Sequence, residues 1–107
     1  MKLIFAIVSS DDCASVMAAL VKERFSVTKL ATSGGFLKVG NATLLIGTEA
    51  TKVEQVLKII EAHSKSRKEI VPIIGPSEIG IYSAQTMEVP VGGATVFVID
   101  VESFIKM

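Results

Sequence analysis

Groups suited to holding a small polar or anionic ligand are concentrated between Thr28 and Asn41. This stretch of fourteen residues combines hydroxyls, the pair Gly34-Gly35, the aromatic ring of Phe36 and the side-chain amide of Asn41. Adjacent glycines let backbone N–H groups approach a phosphate, while hydroxyls and amides both donate and accept hydrogen bonds. The same composition fits an ordinary hairpin, so the residues alone leave both interpretations open.

Catalytic groups are scarce in the rest of the chain. It has one histidine, His63, and one cysteine, Cys13, and neither belongs to a recognisable catalytic constellation. His63 falls near the end of a predicted helix, where the dipole favours a solvent-facing cation. Cys13 falls on the apolar stripe of another predicted helix, which is typical of a small buried thiol. We therefore expect that the protein is not an enzyme.

Two other features have simple structural interpretations. Asp11 and Asp12 could bind a divalent cation, but carboxylates just before a helix more often cap it and face its positive end. Tyr82 could stack on a base, yet an aromatic ring in a loop more often packs locally, here beside Ile79 and Ile81. We expect no metal and no cofactor.

Composition narrows the class of protein. The length of 107 residues predicts one domain, residues 1–107, and 11 basic side chains balance 11 acidic ones. The sequence has no basic stripe with interleaved aromatics, so we do not expect it to bind nucleic acid. It also has no apolar run that approaches the roughly 20 residues of a membrane span. A single cysteine fits a reducing compartment, so we expect a cytoplasmic location.

The apolar periodicity predicts the order of the elements. Runs dense in Val, Ile and Leu predict strands, and apolar residues repeating at i, i+3, i+4 and i+7 predict helices. We predict strands at 2–8, 27–32, 36–46, 69–74 and 88–101, and helices at about 11–25 and 51–64. Gly40-Asn41 interrupts the third strand, Pro90 and Gly92-Gly93 interrupt the last, and Thr51 with Glu54 has capping-box spacing.

This order predicts the α+β, ferredoxin-like βαββαβ fold, with an antiparallel sheet and two helices on one face. The other sheet face is then left open, although the strands are apolar on both sides. Half of the residues are hydrophobic and the mean hydropathy is +0.55, which is high for a small soluble chain. The open face, together with the strand from Val89 to Val101, is therefore predicted to bury itself against other subunits.

Three stretches resemble signature segments of a known family. They are Thr-Lys-Leu-Ala-Thr-Ser-Gly-Gly-Phe-Leu at 28–37, Gly-Asn at 40–41 and Val-Gly-Gly-Ala-Thr-Val-Phe-Val at 91–98. Together with the opening strand and both helices, these segments resemble the PII-like cyclic di-AMP receptors, and the resemblance covers nearly the whole chain.

The resemblance implies a homotrimer that binds cyclic di-AMP, a bacterial second messenger, in clefts between subunits and has no catalytic activity. It implies a ligand-binding role for six matching positions, Thr28, Gly35, Phe36, Leu37, Asn41 and Gly47, and we predict the same role for Ser26, Gly92 and Gly93. It also implies that loops around Ser33 to Gly35 and from Gly75 to Thr86 are reordered by the ligand and then read by a downstream protein.

The chain departs from the family pattern in three places. Ser26 stands where relatives often carry arginine, a role for which Arg24 or Lys29 could substitute. The loop at 75–86 is shorter than is usual in the family. The tail Phe104-Ile105-Lys106-Met107 differs from the family's Phe-His-Gln-Phe type. Alternative hypotheses are a PII-type sensor of ATP or another metabolite, a ligand-free trimeric scaffold, and an enzyme or metal-tolerance protein of the same architecture.

Overall fold

The computed structural model describes residues 1–30, 40–72 and 86–107, which form two helices and six strands. In chain order these are β1 (Lys2–Ser9), α1 (Ser10–Lys22), β2 (Val27–Leu30), β3 (Asn41–Thr48), α2 (Val53–His63), β4 (Arg67–Pro72), β5 (Thr86–Val91) and β6 (Ala94–Asp100). A short 3₁₀ turn, Ala50–Lys52, precedes α2. None of the helices in these ranges combines the length and apolar character needed to cross a bilayer.

Four strands form the main sheet, in the order β2-β3-β1-β6, and every neighbouring pair is antiparallel. This is the order of a ferredoxin-like sheet in which β6 takes the place of the fourth strand. The predicted α+β class with an antiparallel sheet is therefore confirmed. At the end of the sheet where β1 begins, Lys2 pairs with Asp100, and this hydrogen bond lowers the pKa of the exposed Asp100 carboxyl.

The core lies between the sheet and the two helices. Alternate residues of β1 and β3 point into it because successive side chains of a strand face opposite sides. They meet the buried stripes of α1 and α2, so both helices cover the same face, as predicted. The fully buried aliphatic side chains are Ile4, Ala6, Val8, Leu44 and Ile46 from the strands and Val16, Leu20, Val56 and Ile60 from the helices. Cys13 is buried in the same core, as predicted.

Both helix starts differ from the prediction. Ser9, rather than Asp11 or Asp12, is the N-cap of α1, and its Oγ accepts a hydrogen bond of 3.3 Å from the backbone N–H of Asp11. A serine oxygen can reach this N–H without any loop between β1 and α1. The predicted capping box is also wrong, because Thr51 lies in the 3₁₀ turn and the N-cap of α2 is Lys52, whose side chain makes no capping hydrogen bond.

The predicted strand 88–101 is instead two strands that belong to different sheets. β6 joins the main sheet, whereas β5 pairs with β4 in a separate two-stranded sheet, which we call the arm. The chain changes direction at Gly92 and Gly93, whose φ angles are +78° and +80°. Such angles are accessible to glycine at no steric cost but disfavoured in residues with a Cβ atom.

β3 begins at Asn41, so Gly40 does not lie inside a strand. It occupies a turn with φ +94°, and its carbonyl accepts a 2.7 Å hydrogen bond from the N–H of Ser10. The predicted strand segments 31–32, 36–39 and 73–74 lie outside the described residues, as do Tyr82 and nearly all of the predicted loop 75–86. The contact between Gly40 and Ser10 joins the start of β3 to the start of α1.

Candidate ligand-binding site

One face of the main sheet is free of helices in the part of the chain that the structure describes. We call it the open face; it is formed by the odd-numbered residues of β1, β3 and β6 together with Thr28 and Leu30. Its apolar centre consists of Phe5, Leu45 and Phe97, which lie side by side across three strands. Phe97 is 55% exposed and Ile99 is 46% exposed, so the face presents large apolar groups to the surroundings.

Three of the predicted ligand-binding positions lie on the open face. Thr28 is exposed and faces Leu45, Gly47 is exposed and faces Leu3, and Asn41 is half-buried at the other end, facing Ser9. Asn41 and Gly47 are six residues apart on β3, or about 20 Å at roughly 3.3 Å per residue. Ser26 is exposed immediately before β2, where the strand register brings it level with Gly47. The predicted ligand-binding residues are therefore distributed along the length of the open face rather than gathered at one point.

A cavity of about 150 Å³ lies at the Asn41 end of the open face. It brings together Asn41, Gly92 and Gly93, which come from separate segments of the chain. The remaining lining residues are Ile7, Val8, Ser9, Ala94 and Thr95. The amide of Asn41 and the hydroxyls of Ser9 and Thr95 can hold a polar ligand by hydrogen bonds. The other predicted positions, Gly35, Phe36 and Leu37, lie outside the described residues.

Gly92 and Gly93 form one side of this cavity, which we call the glycine wall. A Cβ at Gly92 would collide with the carbonyl oxygen of Lys65 and would lie 2.7 Å from Nη1 of Arg67. At Gly93 a Cβ would meet only the Cβ of Ser66, at an ordinary contact distance of 3.8 Å. The Gly93 N–H donates a hydrogen bond to the carbonyl oxygen of Ser64. Gly92 is thus needed for close packing and Gly93 mainly for its φ angle.

An ion pair lies directly beside this wall. The Arg67 guanidinium donates two hydrogen bonds to the Asp12 carboxylate, at 3.1 Å from Nη2 to Oδ1 and 3.3 Å from Nη1 to Oδ2. Nη1 also lies 3.3 Å from the carbonyl oxygen of Lys65, to which it donates. Asp12 is only 7% exposed, and burial of a carboxylate is tolerated when it is paired in this way.

Two other cavities lie among the described residues. One, of about 410 Å³, includes Lys65 and Gly93, and the other, of about 390 Å³, lies between α1 and α2 and includes His63. His63 is exposed, as predicted, and its Nδ1 lies 3.1 Å from Oγ of Ser15, a contact that joins α2 to α1. Within residues 1–30, 40–72 and 86–107, no three His, Cys, Asp or Glu side chains cluster closely enough to hold a metal ion. The Asn41 cavity is lined by three of the predicted ligand-binding positions, and on that ground its donors are the candidates for ligand contacts.

Comparison with known proteins agrees with the resemblance of the sequence. The family model described as cyclic-di-AMP receptor matches residues 1–107, the whole chain. The chain belongs to the cyclic-di-AMP receptor family. Among solved structures, this family member is similar to a functionally unknown protein from Pediococcus pentosaceus, with 36% sequence identity and a TM-score of 0.75. The similarity covers 99% of this chain and 96% of the other.

Sequence reasoning did not find three of the groups at this site. Ser9 and Thr95 line the cavity, but neither stands in the segment 28–41, and only their cross-strand positions bring them together. Arg67 was also missed, since 55 residues separate it from Asp12. The helix-start position of Asp12 was recognised, but nothing in the sequence identified its partner.

We predict that Gly92→Ala and Gly93→Ala destabilise this receptor-family chain to different extents. Both substitutions place an alanine at positive φ, which costs about 1–2 kcal/mol of the free energy of unfolding. Gly92→Ala adds a collision with Lys65 and Arg67, so its loss should be larger. Urea unfolding of both variants measures the difference, with Gly40→Ala, whose Cβ would have no atom within 4 Å, as a control for the φ angle alone. Equal losses at positions 92 and 93 would contradict this account of the wall.

Proposed function

We propose that this protein is a non-enzymatic, cytoplasmic signal receptor that binds cyclic di-AMP in clefts between the subunits of a homotrimer. The observation that carries the proposal is the open face, where an apolar surface and polar candidate residues adjoin a cavity. Membership of the cyclic-di-AMP receptor family supplies the ligand class. In this proposal the single domain spans residues 1–107 and has neither a metal nor a cofactor.

The chemistry of the cavity suits a cyclic dinucleotide. Two phosphates call for hydrogen-bond donors, and the hydroxyls of Ser9 and Thr95 can offer them. An adenine edge presents both a donor and an acceptor, and the Asn41 amide can pair with both. We assign Thr28, Ser26 and Gly47 to the same ligand but to a different part of it, and Gly35, Phe36 and Leu37 to the wall that covers it.

The distribution of these residues supports a site shared between subunits. Asn41 and Gly47 are separated by about 20 Å along β3, and the cavity at the Asn41 end is small and shallow. A second copy packed on the open face would give these positions an opposite wall. It would also cover Phe97 and Ile99, which are large apolar residues exposed on a small chain.

We further propose that the ligand acts by reordering two loops, the one around Ser33 to Gly35 and the one from Gly75 to Thr86. A ligand shifts a conformational equilibrium only by its differential affinity for the two states, so segments that touch it are the natural switch elements. A downstream protein would then bind to the chain according to the conformation of these loops.

Titration calorimetry with cyclic di-AMP, cyclic di-GMP, ATP and AMP tests the proposed ligand. We expect cyclic di-AMP to bind most tightly, because the family model and the donor set both favour it. Tighter binding of ATP would contradict the proposal and indicate a PII-type metabolite sensor. Absence of heat with all four nucleotides would also contradict it and indicate an interaction scaffold.

We predict that Asn41→Ala weakens cyclic di-AMP binding about 5- to 150-fold, since a buried polar group left unpaired costs about 1–3 kcal/mol. The melting temperature of the ligand-free protein should change little, because the backbone pairing of Asn41 with Ser9 does not need the amide. Glu49→Ala is the matched control, as Glu49 is exposed just beyond the other end of β3. A destabilised Asn41→Ala protein with native affinity would show that Asn41 serves the fold and not the ligand.

A further inference from the structure

The arm is joined to the body of the protein through two short segments. Residues 64–66 lead from α2 into β4, and Gly92-Gly93 leads from β5 into β6. The hydrogen bond from the Gly93 N–H to the Ser64 carbonyl ties these two segments together. Because β4 and β5 form a sheet separate from the main one, the angle of the arm depends on contacts at this base.

The Asp12–Arg67 ion pair is a charged contact at this base. Asp12 lies in the first turn of α1 and Arg67 is the first residue of β4, so the pair connects the body directly to the arm. Its two N–H···O contacts join separate nitrogens of the guanidinium to separate oxygens of the carboxylate, at 3.1 and 3.3 Å. A bidentate pair of a planar guanidinium with a carboxylate fixes orientation as well as distance. The pair therefore restrains the direction in which β4 leaves the body.

The same guanidinium packs against the ligand cavity. A Cβ at Gly92 would lie 2.7 Å from Nη1 of Arg67, so the guanidinium rests directly on the Gly92 backbone. Gly92 and Gly93 form one wall of the cavity that also contains Asn41. A shift of Arg67 is therefore a shift of the cavity wall. The third contact of Nη1, with the Lys65 carbonyl, holds the opposite side of the base in the same arrangement.

We infer that Asp12 and Arg67 are positioning residues for the ligand site: their ion pair sets the arm on the body and keeps the Gly92-Gly93 wall in its binding shape. The part of this inference that concerns ligand affinity rests on the proposed function. The part that concerns the arm does not, since it follows from contacts of the ligand-free chain.

Amide hydrogen exchange of the ligand-free protein tests the effect on the arm. Asp12→Asn and Arg67→Gln should each speed exchange in segments 64–67 and 92–94 by at least about fivefold, because loss of a paired charge loosens the base. Asp11→Asn is the matched control: it removes the same charge from the same helical turn, but Asp11 is exposed, and the carboxylate that accepts both guanidinium hydrogen bonds is that of Asp12. Exchange in Asp12→Asn equal to that in Asp11→Asn would overturn the inference.

The double variant Asp12→Asn/Arg67→Gln separates the ion pair from other contacts of each residue. If the two side chains act through each other, the double variant exchanges no faster than the faster single variant. Additive acceleration would overturn the inference. Arg67→Lys provides a milder change that keeps the charge but loses the planar fork, and it should fall between the native protein and Arg67→Gln.

Calorimetry of the same variants with cyclic di-AMP tests the effect on the site. We expect Asp12→Asn and Arg67→Gln to weaken binding about 5- to 20-fold and Asp11→Asn to leave it unchanged, since a loosened wall must be ordered again on binding. Faster exchange combined with native affinity would overturn the positioning role. If the native protein binds no cyclic di-AMP, the proposed function fails, and the exchange experiment still decides whether the ion pair holds the arm.

Discussion

The fold is governed by a mismatch between the sheet and the helices available to cover it. Both faces of the main sheet carry apolar side chains, but α1 and α2 lie on the same face and bury only Ile4, Ala6, Leu44, Ile46 and their neighbours. Phe97 and Ile99 remain exposed on the other face. A large apolar surface on a small protein is stable in water only when something covers it. The proposed trimer and the proposed ligand cleft both follow from this constraint.

The position of the cavity depends on how β6 joins the sheet. Two consecutive glycines at positive φ end β5 and let β6 pair with β1, so the glycine backbone comes to lie beside Asn41 and Thr95 at the end of the sheet. The same turn leaves β4 and β5 outside the main sheet as an arm. One local backbone feature thus creates the cavity wall and the base of the arm. The Asp12–Arg67 pair lies where these two features meet.

Much of the fold follows from local sequence patterns, whereas the site depends on contacts between distant residues. Apolar periodicity predicted β1, α1 and α2 and the common face of the helices, because those patterns reflect burial directly. It failed for the strand 88–101, since the Val-rich pattern continues through β5 and β6 although they belong to different sheets. Asn41, Gly92 and Gly93 were named from family resemblance, but their meeting in one cavity and the pairing of Asp12 with Arg67 depend on the tertiary fold.

The central claim, that copies of this chain complete the ligand site by packing on the open face, is tested most directly by Phe97→Glu. A carboxylate at the centre of an apolar interface costs several kcal/mol unless it is paired. The variant should therefore sediment as a folded monomer, whereas we expect the native protein to sediment as a trimer. Val21→Glu, on the exposed surface of α1, is the control and should remain trimeric. The measurement is cyclic di-AMP calorimetry on the Phe97→Glu monomer: the account predicts loss of binding, and a monomer that binds with native affinity would contradict it.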